Sequence, residues 1–154
     1  MDGKRVDDSR VSVNQWMMPE HANHMGFVHG GEIMKLADET GALSAIRHAQ
    51  NFVVTLAVDS MTFHSPVQVG NLLTLHAHLT WVGRTSMEAR VQVIAENPLT
   101  REQTHTNTAY FVYVALDENG HPVRVPPLVV ETEEEKRRWA EAEERRQMRR
   151  SHQK

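Results

Sequence analysis

The hydrophobic positions of the chain change period twice. From Gly30 to about His48 apolar residues recur at Ile33, Met34, Leu36, Ala37, Leu43, Ala45 and Ile46 without a proline, which predicts a helix entered through a glycine pair. Its apolar character runs most of the way round, so other elements are expected to wrap it. After this helix the period falls to two. Phe52 to Phe63, Leu72 to Val82, Ser86 to Glu96 and Thr104 to Leu116 are rich in β-branched and aromatic residues and read as four strands. In the second and third of these, Leu73, Leu75, Ala77, Leu79 and Trp81, then Met87, Ala89, Val91, Val93 and Ala95, share the face expected to pack on the helix. Val11 to Met17 supplies a candidate opening strand. Turn residues part the strands at Ser65-Pro66 with Gly70-Asn71, at Gly83, at Asn97-Pro98 and at Asp117 to Gly120. Connections this short favour antiparallel pairing. The expected architecture is α+β, an antiparallel sheet curled around one long helix.

Past Val125-Pro126-Pro127 the pattern changes again, and Thr132 with Glu135 forms a capping box that opens a second helix running to about Arg150. Acidic residues crowd its start and Arg137, Arg138, Arg145, Arg146, Arg149 and Arg150 its later part, in keeping with the helix macrodipole. Its apolar face is too thin to enter lipid, and it reads as a solvated helix laced with i,i+4 ion pairs. The expected division of the chain is a flexible N-terminus at 1–10, one domain at 11–127 and a charged helical extension at 128–154.

Composition narrows the chemistry. A chain of 154 residues without cysteine is expected to fold as one domain, with no disulfide, thiolate nucleophile or cysteine zinc site. Oxygen and imidazole groups remain. A net charge of -3 gives no global attraction to nucleic acid, although ten histidines make that charge sensitive to pH. No apolar run approaches the roughly 20 residues of a membrane span. The polar first ten residues lack a secretory apolar stretch, so the expected compartment is the cytoplasm. His21, His24 and His29 cluster, as do His76 and His78 on one strand face, but neither group has an evident carboxylate-bearing ligand set. No metal is expected. The SxxK, GxSxG and HExxH signatures are absent.

Two features carry candidate chemistry. The stretch from Asn23 to Gly31 places polar groups and three glycines just ahead of the first helix. Glycines there let a ligand approach the backbone, whose free N–H groups favour negative charge and can polarise a carbonyl. A tight turn into the helix would account for the same glycines. The spacing is neither GxGxxG nor a P-loop. Asp38 is the more pointed feature, because its neighbours on the helical wheel are Met34, Gly41, Ala42 and Ala45 rather than the polar stripe of Glu32, Lys35 and Glu39. Burying even a neutral polar group without a partner costs about 2–7 kcal/mol, so an acid there needs a partner or a purpose. A structural role, accepting hydrogen bonds from a neighbouring segment, stands beside a catalytic one.

These residues carry a resemblance. The ordered series Pro19, Asn23, Gly26, His29, Gly30, Gly31, Met34, Asp38 and Glu39 is similar to the active-site segment of hotdog-fold acyl-CoA thioesterases, the group that includes brain-type cytosolic acyl-CoA hydrolase. Val58-Asp59 with Phe63, the turn from Pro66 to Gly70, Arg84 to Glu88, Val125 to Leu128 and Glu131 to Lys136 resemble its later segments. The resemblance implies a single hotdog domain and the hydrolysis of fatty acyl-CoA to free fatty acid and CoA. It also implies a site shared across a dimer interface, with Asp38 of one subunit as general base or nucleophile and Asn23 of the other positioning the water or the carbonyl. Backbone N–H groups near Gly30 and Gly31 would stabilise the oxyanion, His29 belongs to the same loop, and Arg84, Thr85 and Ser86 would meet the CoA phosphates. Coenzyme A enters as part of substrate and product, and no cofactor is implied. The implied partners are acyl-CoA and further copies of the chain, as a homodimer and then a homohexamer built as a trimer of dimers, with no role for nucleic acid or membrane. A non-catalytic acyl-CoA-binding regulator would be expected to carry a DNA-binding module, which the first ten residues cannot form. A hotdog hydratase pairs Asp and His on a different spacing.

Overall fold

A computed structural model describes residues 1–59 and 61–152. Its elements are β1 (Lys4–Arg5), β2 (Val11–Trp16), α1 (Gly30–Ala49), β3 (Phe52–Val58), β4 (Leu72–Val82), β5 (Ser86–Glu96), β6 (Gln103–Leu116), β7 (Leu128–Val129) and α2 (Glu133–His152). Strands β2 to β6 form one antiparallel sheet in the order β2-β4-β5-β6-β3. Its inner face packs on α1, where Leu73, Leu75, Leu79, Met87, Val91 and Phe111 share one core with Ile33, Ala37 and Ala45. Burying a large apolar side chain contributes about 1.5–3 kcal/mol, so the period-two pattern decides which way each strand faces. At its start α1 is capped by His29, whose Nδ1 accepts the Gly31 N–H at 3.0 Å. It ends at Gln50, in the left-handed region with φ 55°.

The strand expected from Phe52 to Phe63 ends at Val58, and Ser60 within that run lies outside the described residues. The ladder is already broken by a bulge, since Thr55 pairs with Tyr113 and Ala57 with Val112, leaving Leu56 as the extra residue. Beyond Val58 the chain is tied to β6, among the described residues, by scattered bonds, Asp59 N–H to Tyr110 O at 2.9 Å and His64 N–H to Thr106 O at 3.1 Å.

The segments expected to flank the domain are packed against it. Within residues 1–10, β1 pairs in parallel with β7, and Val6 and Ser9 are buried. Ser9 Oγ donates to Val6 O at 2.6 Å and accepts the Leu79 N–H at 3.0 Å, while Ser9 O accepts the Ser44 hydroxyl at 2.7 Å. Hydrogen bonds rather than an apolar pattern hold this polar stretch, which hydrophobic periodicity therefore leaves loose. The capping box forms as expected, with the Glu135 N–H donating to Thr132 Oγ1 at 3.1 Å. The helix it opens is not simply solvated. It lies on the outer face of the sheet, with Trp139 tilted against Trp81 at 5.9 Å between ring centroids and Ala142 buried. The Arg145 guanidinium stacks 3.6 Å from the Tyr110 ring and makes bonds of 2.8 and 3.0 Å to the fully buried Glu88 carboxylate. Gln153 and Lys154, at the end of the expected extension, lie outside the described residues.

Candidate active site

Asp38 sits about two turns into α1, half-buried on the side turned to β3 and β6. Its Oδ1 accepts the Thr55 hydroxyl at 2.8 Å. The Tyr113 hydroxyl donates to the same residue, 2.8 Å from Asp38 O and 3.0 Å from Oδ1. Thr55 and Tyr113 are opposite one another in the β3–β6 pairing, so one rung of the ladder carries both donors. Burial, then the neighbouring Asp38, pushes the Tyr113 phenol well above its usual range, which keeps it protonated and donating. Oδ2 has no hydrogen-bond partner among the described residues, and one carboxylate oxygen is thereby held while the other is left for chemistry. Gly41 makes the arrangement fit, because a Cβ at that position would stand 2.5 Å from the Tyr113 hydroxyl. The helical wheel singles out Asp38 but not Thr55 or Tyr113. The available signal for Tyr113 is a hydroxyl in phase with the apolar Ala109, Phe111 and Ala115 on the inner face of β6.

Asn23 is held in the loop ahead of α1, where its Oδ1 accepts the N–H groups of Met25 at 2.9 Å and Phe27 at 3.2 Å. Gly26, at φ 85°, allows the chain to double back there. These bonds leave the amide nitrogen of Asn23 as its donating group. Asn23 borders an open cavity of about 360 Å³ with Phe27, Gly30, Ile33, Phe63 and His64, and Asp38 does not line it. The two predicted catalytic residues are therefore not brought together within one chain, and roughly 12 Å of helix separates Gly30 from Asp38. Of the predicted oxyanion donors, the Gly31 N–H is engaged by His29, while the Gly30 N–H meets no acceptor among the described residues.

Arg84, Thr85 and Ser86 form the turn from β4 to β5, where their carbonyls accept the N–H groups of Val125, Ala115 and Gly83. Arg84 is exposed and lines a cavity of about 430 Å³ with Arg124, Trp139 and Met1, whereas Thr85 and Ser86 are half-buried and do not line it. Arg124, a second guanidinium beside Arg84, is not marked by any sequence motif. Among the described residues, no group of three His, Cys, Asp or Glu side chains could hold a metal ion. His21 accepts the Met18 N–H at 2.9 Å, and His76 bonds Ser12 at 2.8 Å.

The edge of the sheet beside Asp38 is apolar. Among the described residues β3 pairs only with β6, and it exposes Phe52 (75%), Val54, Leu56 (64%) and Val58. Met34, Leu43 and Ile46 of α1 are exposed as well. An edge strand with this many apolar side chains is one that proteins cover.

The family model of the thioesterase superfamily matches residues 25–102, from the loop ahead of α1 to the residue before β6. The protein VdlD of Helicobacter pylori is 41% identical over 144 residues, covering 94% of this chain and 82% of that protein. The cytosolic acyl coenzyme A thioester hydrolase of Rattus norvegicus is 37% identical over 142 residues; these make up 91% of this chain but only 37% of that protein's length. The crystal structure of an apo-hexameric acyl-CoA thioesterase superposes with a TM-score of 0.93 at 39% identity, covering 99% of this chain and 97% of that one.

Proposed function

The chain belongs to the thioesterase superfamily, and we propose that it is an acyl-CoA thioester hydrolase, releasing free fatty acid and CoA at sites that two subunits complete. The observation that carries this reading is the Asp38 carboxylate, with Oδ1 held by Thr55 and Tyr113 and Oδ2 unengaged, next to an uncovered apolar edge. Both the rat relative and the hexameric structure are named for this chemistry.

Asp38 Oδ2 takes a proton from water as the water oxygen attacks the thioester carbonyl, or attacks that carbon itself and is released by water in a second step. In either case the C–S bond breaks, and the departing CoA sulfur receives a proton. Positioned base catalysis supplies about 10²- to 10⁴-fold in rate. Asn23 of the partner subunit and the Gly30 N–H would donate to the carbonyl oxygen as it gains charge. The sharing follows from β3. Two such edges pairing antiparallel about a two-fold axis set opposite ends of the strands together, which brings the cavity beyond the partner's Val58 toward Asp38. Each dimer then holds two equivalent sites, and three dimers stack as a hexamer, the assembly named for the structural relative. Arg84, with Arg124 beside it and the hydroxyls of Thr85 and Ser86 nearby, offers donors for the phosphates of CoA. The reaction uses no metal and no further cofactor. We place it in the cytoplasm, in line with the name of the rat relative; no helix among the described residues is long and apolar enough to cross a membrane.

Thiol release from acyl-CoAs of graded length tests the reading. Asp38→Ala and Asn23→Ala are each expected to lose about 10²-fold or more in kcat. Mixed and re-associated, the two variants should regain about one quarter of the parental rate, because half the dimers are mixed and each of those has one intact site of two. Full activity in Asp38→Ala would sink the assignment, and no recovery on mixing would sink the shared site.

A further inference from the structure

The outer face of the sheet carries a polar cleft of about 370 Å³ between β2, β4, β5 and the first turns of α2. Arg10, Arg90 and Arg138 converge on it with His76, His78 and Glu134. It lies on the face opposite α1, so thioester hydrolysis at Asp38 makes no use of it.

Charge and hydrogen bonding are left incomplete here. Arg10 reaches Asp7 at 2.8 Å and Arg138 reaches Glu134 at 2.7 Å, each with one edge of its guanidinium. Arg90, half-buried on β5, has no hydrogen-bonding or ion-pair partner for its side chain among the described residues, and its charge bears on both Arg138 and His78. His78, only 6% exposed, is wedged between the other two guanidiniums, with Arg138 Nη1 2.9 Å from Nε2 and Arg10 Nη1 3.4 Å from Nδ1. Burial first, then Arg10, Arg138 and Arg90, pushes its pKa down to about 3, so the ring is neutral. A neutral imidazole has one acceptor and one N–H. The shorter contact gives the acceptor to Nε2, which turns Nδ1–H toward another donor on Arg10. The cleft therefore gathers more N–H groups and positive charge than Asp7 and Glu134 meet, with three guanidiniums against two carboxylates and Arg90 unpaired among the described residues.

An oxyanion is what such an array lacks. Guanidinium groups bind phosphate oxygens in bidentate fashion, and a cleft of this volume and polarity admits a phosphoryl group with a polar body attached. We propose that the cleft formed by Arg10, His78, Arg90 and Arg138 binds the phosphoryl group of a soluble phosphorylated metabolite. A ligand there joins two strands of the sheet's middle, the start of β2 and α2, so it stabilises the fold as it binds.

Calorimetric titration and thermal melting of the full chain test this with inorganic phosphate, ADP and CoA, each compared with chloride at equal ionic strength. The three arms separate a free anion, a nucleotide and the reaction product as the source of the phosphoryl group. At least one is expected to bind the parent protein and raise its Tm. Arg90→Gln is expected to weaken that binding about ten-fold or more, with an unliganded Tm equal to or above the parent's because an unpaired charge has gone. Arg84→Gln, in the separate cavity, should leave it unchanged. For CoA, which also enters the hydrolytic site, the readout is the binding event that Arg90→Gln removes. The proposal is overturned if none of the three binds, if Arg90→Gln binds as the parent does, or if only Arg84→Gln weakens binding.

Discussion

A methyl group at Gly41 would meet the hydroxyl of a tyrosine that has no room to swing aside, since Tyr113 is fully buried. Gly41→Ala is therefore expected to push that hydroxyl off Asp38. Hydrogen bonds to charged groups are worth about 1.5–3 kcal/mol, which corresponds to roughly 10- to 100-fold in kcat. Tyr113→Phe should lose a similar factor by deleting the hydroxyl. The double variant should be about as slow as Tyr113→Phe alone, because the 2.5 Å clash with the hydroxyl is gone and the ring carbon Cε2, at 3.3 Å, needs to give only a few tenths of an ångström. Full kcat in Gly41→Ala, measured by thiol release, would mean that the tyrosine does not position the carboxylate. Asp38 itself was legible in the sequence because an acid interrupts an apolar helical surface. Its two donors were not, since they lie 17 and 75 residues away along the chain and become neighbours only through the pairing of β3 with β6. Strand alternation tells which face Thr55 and Tyr113 occupy, not what they meet there.

Among the elements, β4 and β5 were legible in their bounds because alternation and turn chemistry agreed, but a bulge between Leu79 and Trp81 turns Trp81, expected on the inner face, outward against Trp139 of α2. α2 was legible in its start and its extent, but not in its docking. The stripe it lays on the sheet is Arg138, Ala142, Arg145 and Arg149, which is cationic where periodicity looks for apolar side chains. The partner that makes this stripe an interface is Glu88, on the outward face of β5, where an acid reads as a solvated residue. Arg145→Ala leaves that buried carboxylate with the Thr80 hydroxyl at 2.6 Å and Arg149 4.0 Å away. Breaking a buried ion pair on one side costs about 3–5 kcal/mol, so chemical denaturation should show a loss of that order. Replacing both partners, as Glu88→Met with Arg145→Met, should restore most of it. If Arg145→Ala unfolds like the parent, the helix is held by its tryptophan and alanine contacts instead.

At the scale of the whole molecule, the helix whose apolar positions run nearly all the way round is wrapped on one side only by its own sheet. Met34, Leu43 and Ile46 belong to that pattern and stay exposed in a single chain, so the strands that periodicity expected to wrap the helix leave one side of it uncovered. Leu56, the extra residue of the β3 bulge, projects from the same edge. Leu56→Asp is expected to give a folded monomer with parental far-UV circular dichroism and no thioesterase activity; sedimentation that still shows dimers would count against β3 as the interface. The same strand also carries Thr55, so one element serves both pairing and the hold on Asp38. On the proposed shared site, each chain alone is a folded half of a catalyst, and dilution is expected to separate the halves. Below the dissociation constant of the dimer, turnover should rise with the square of chain concentration, and above it in simple proportion. A cell whose level of this protein fell ten-fold to below that constant would retain less than a tenth of its activity, a threshold set by mass action on one short strand.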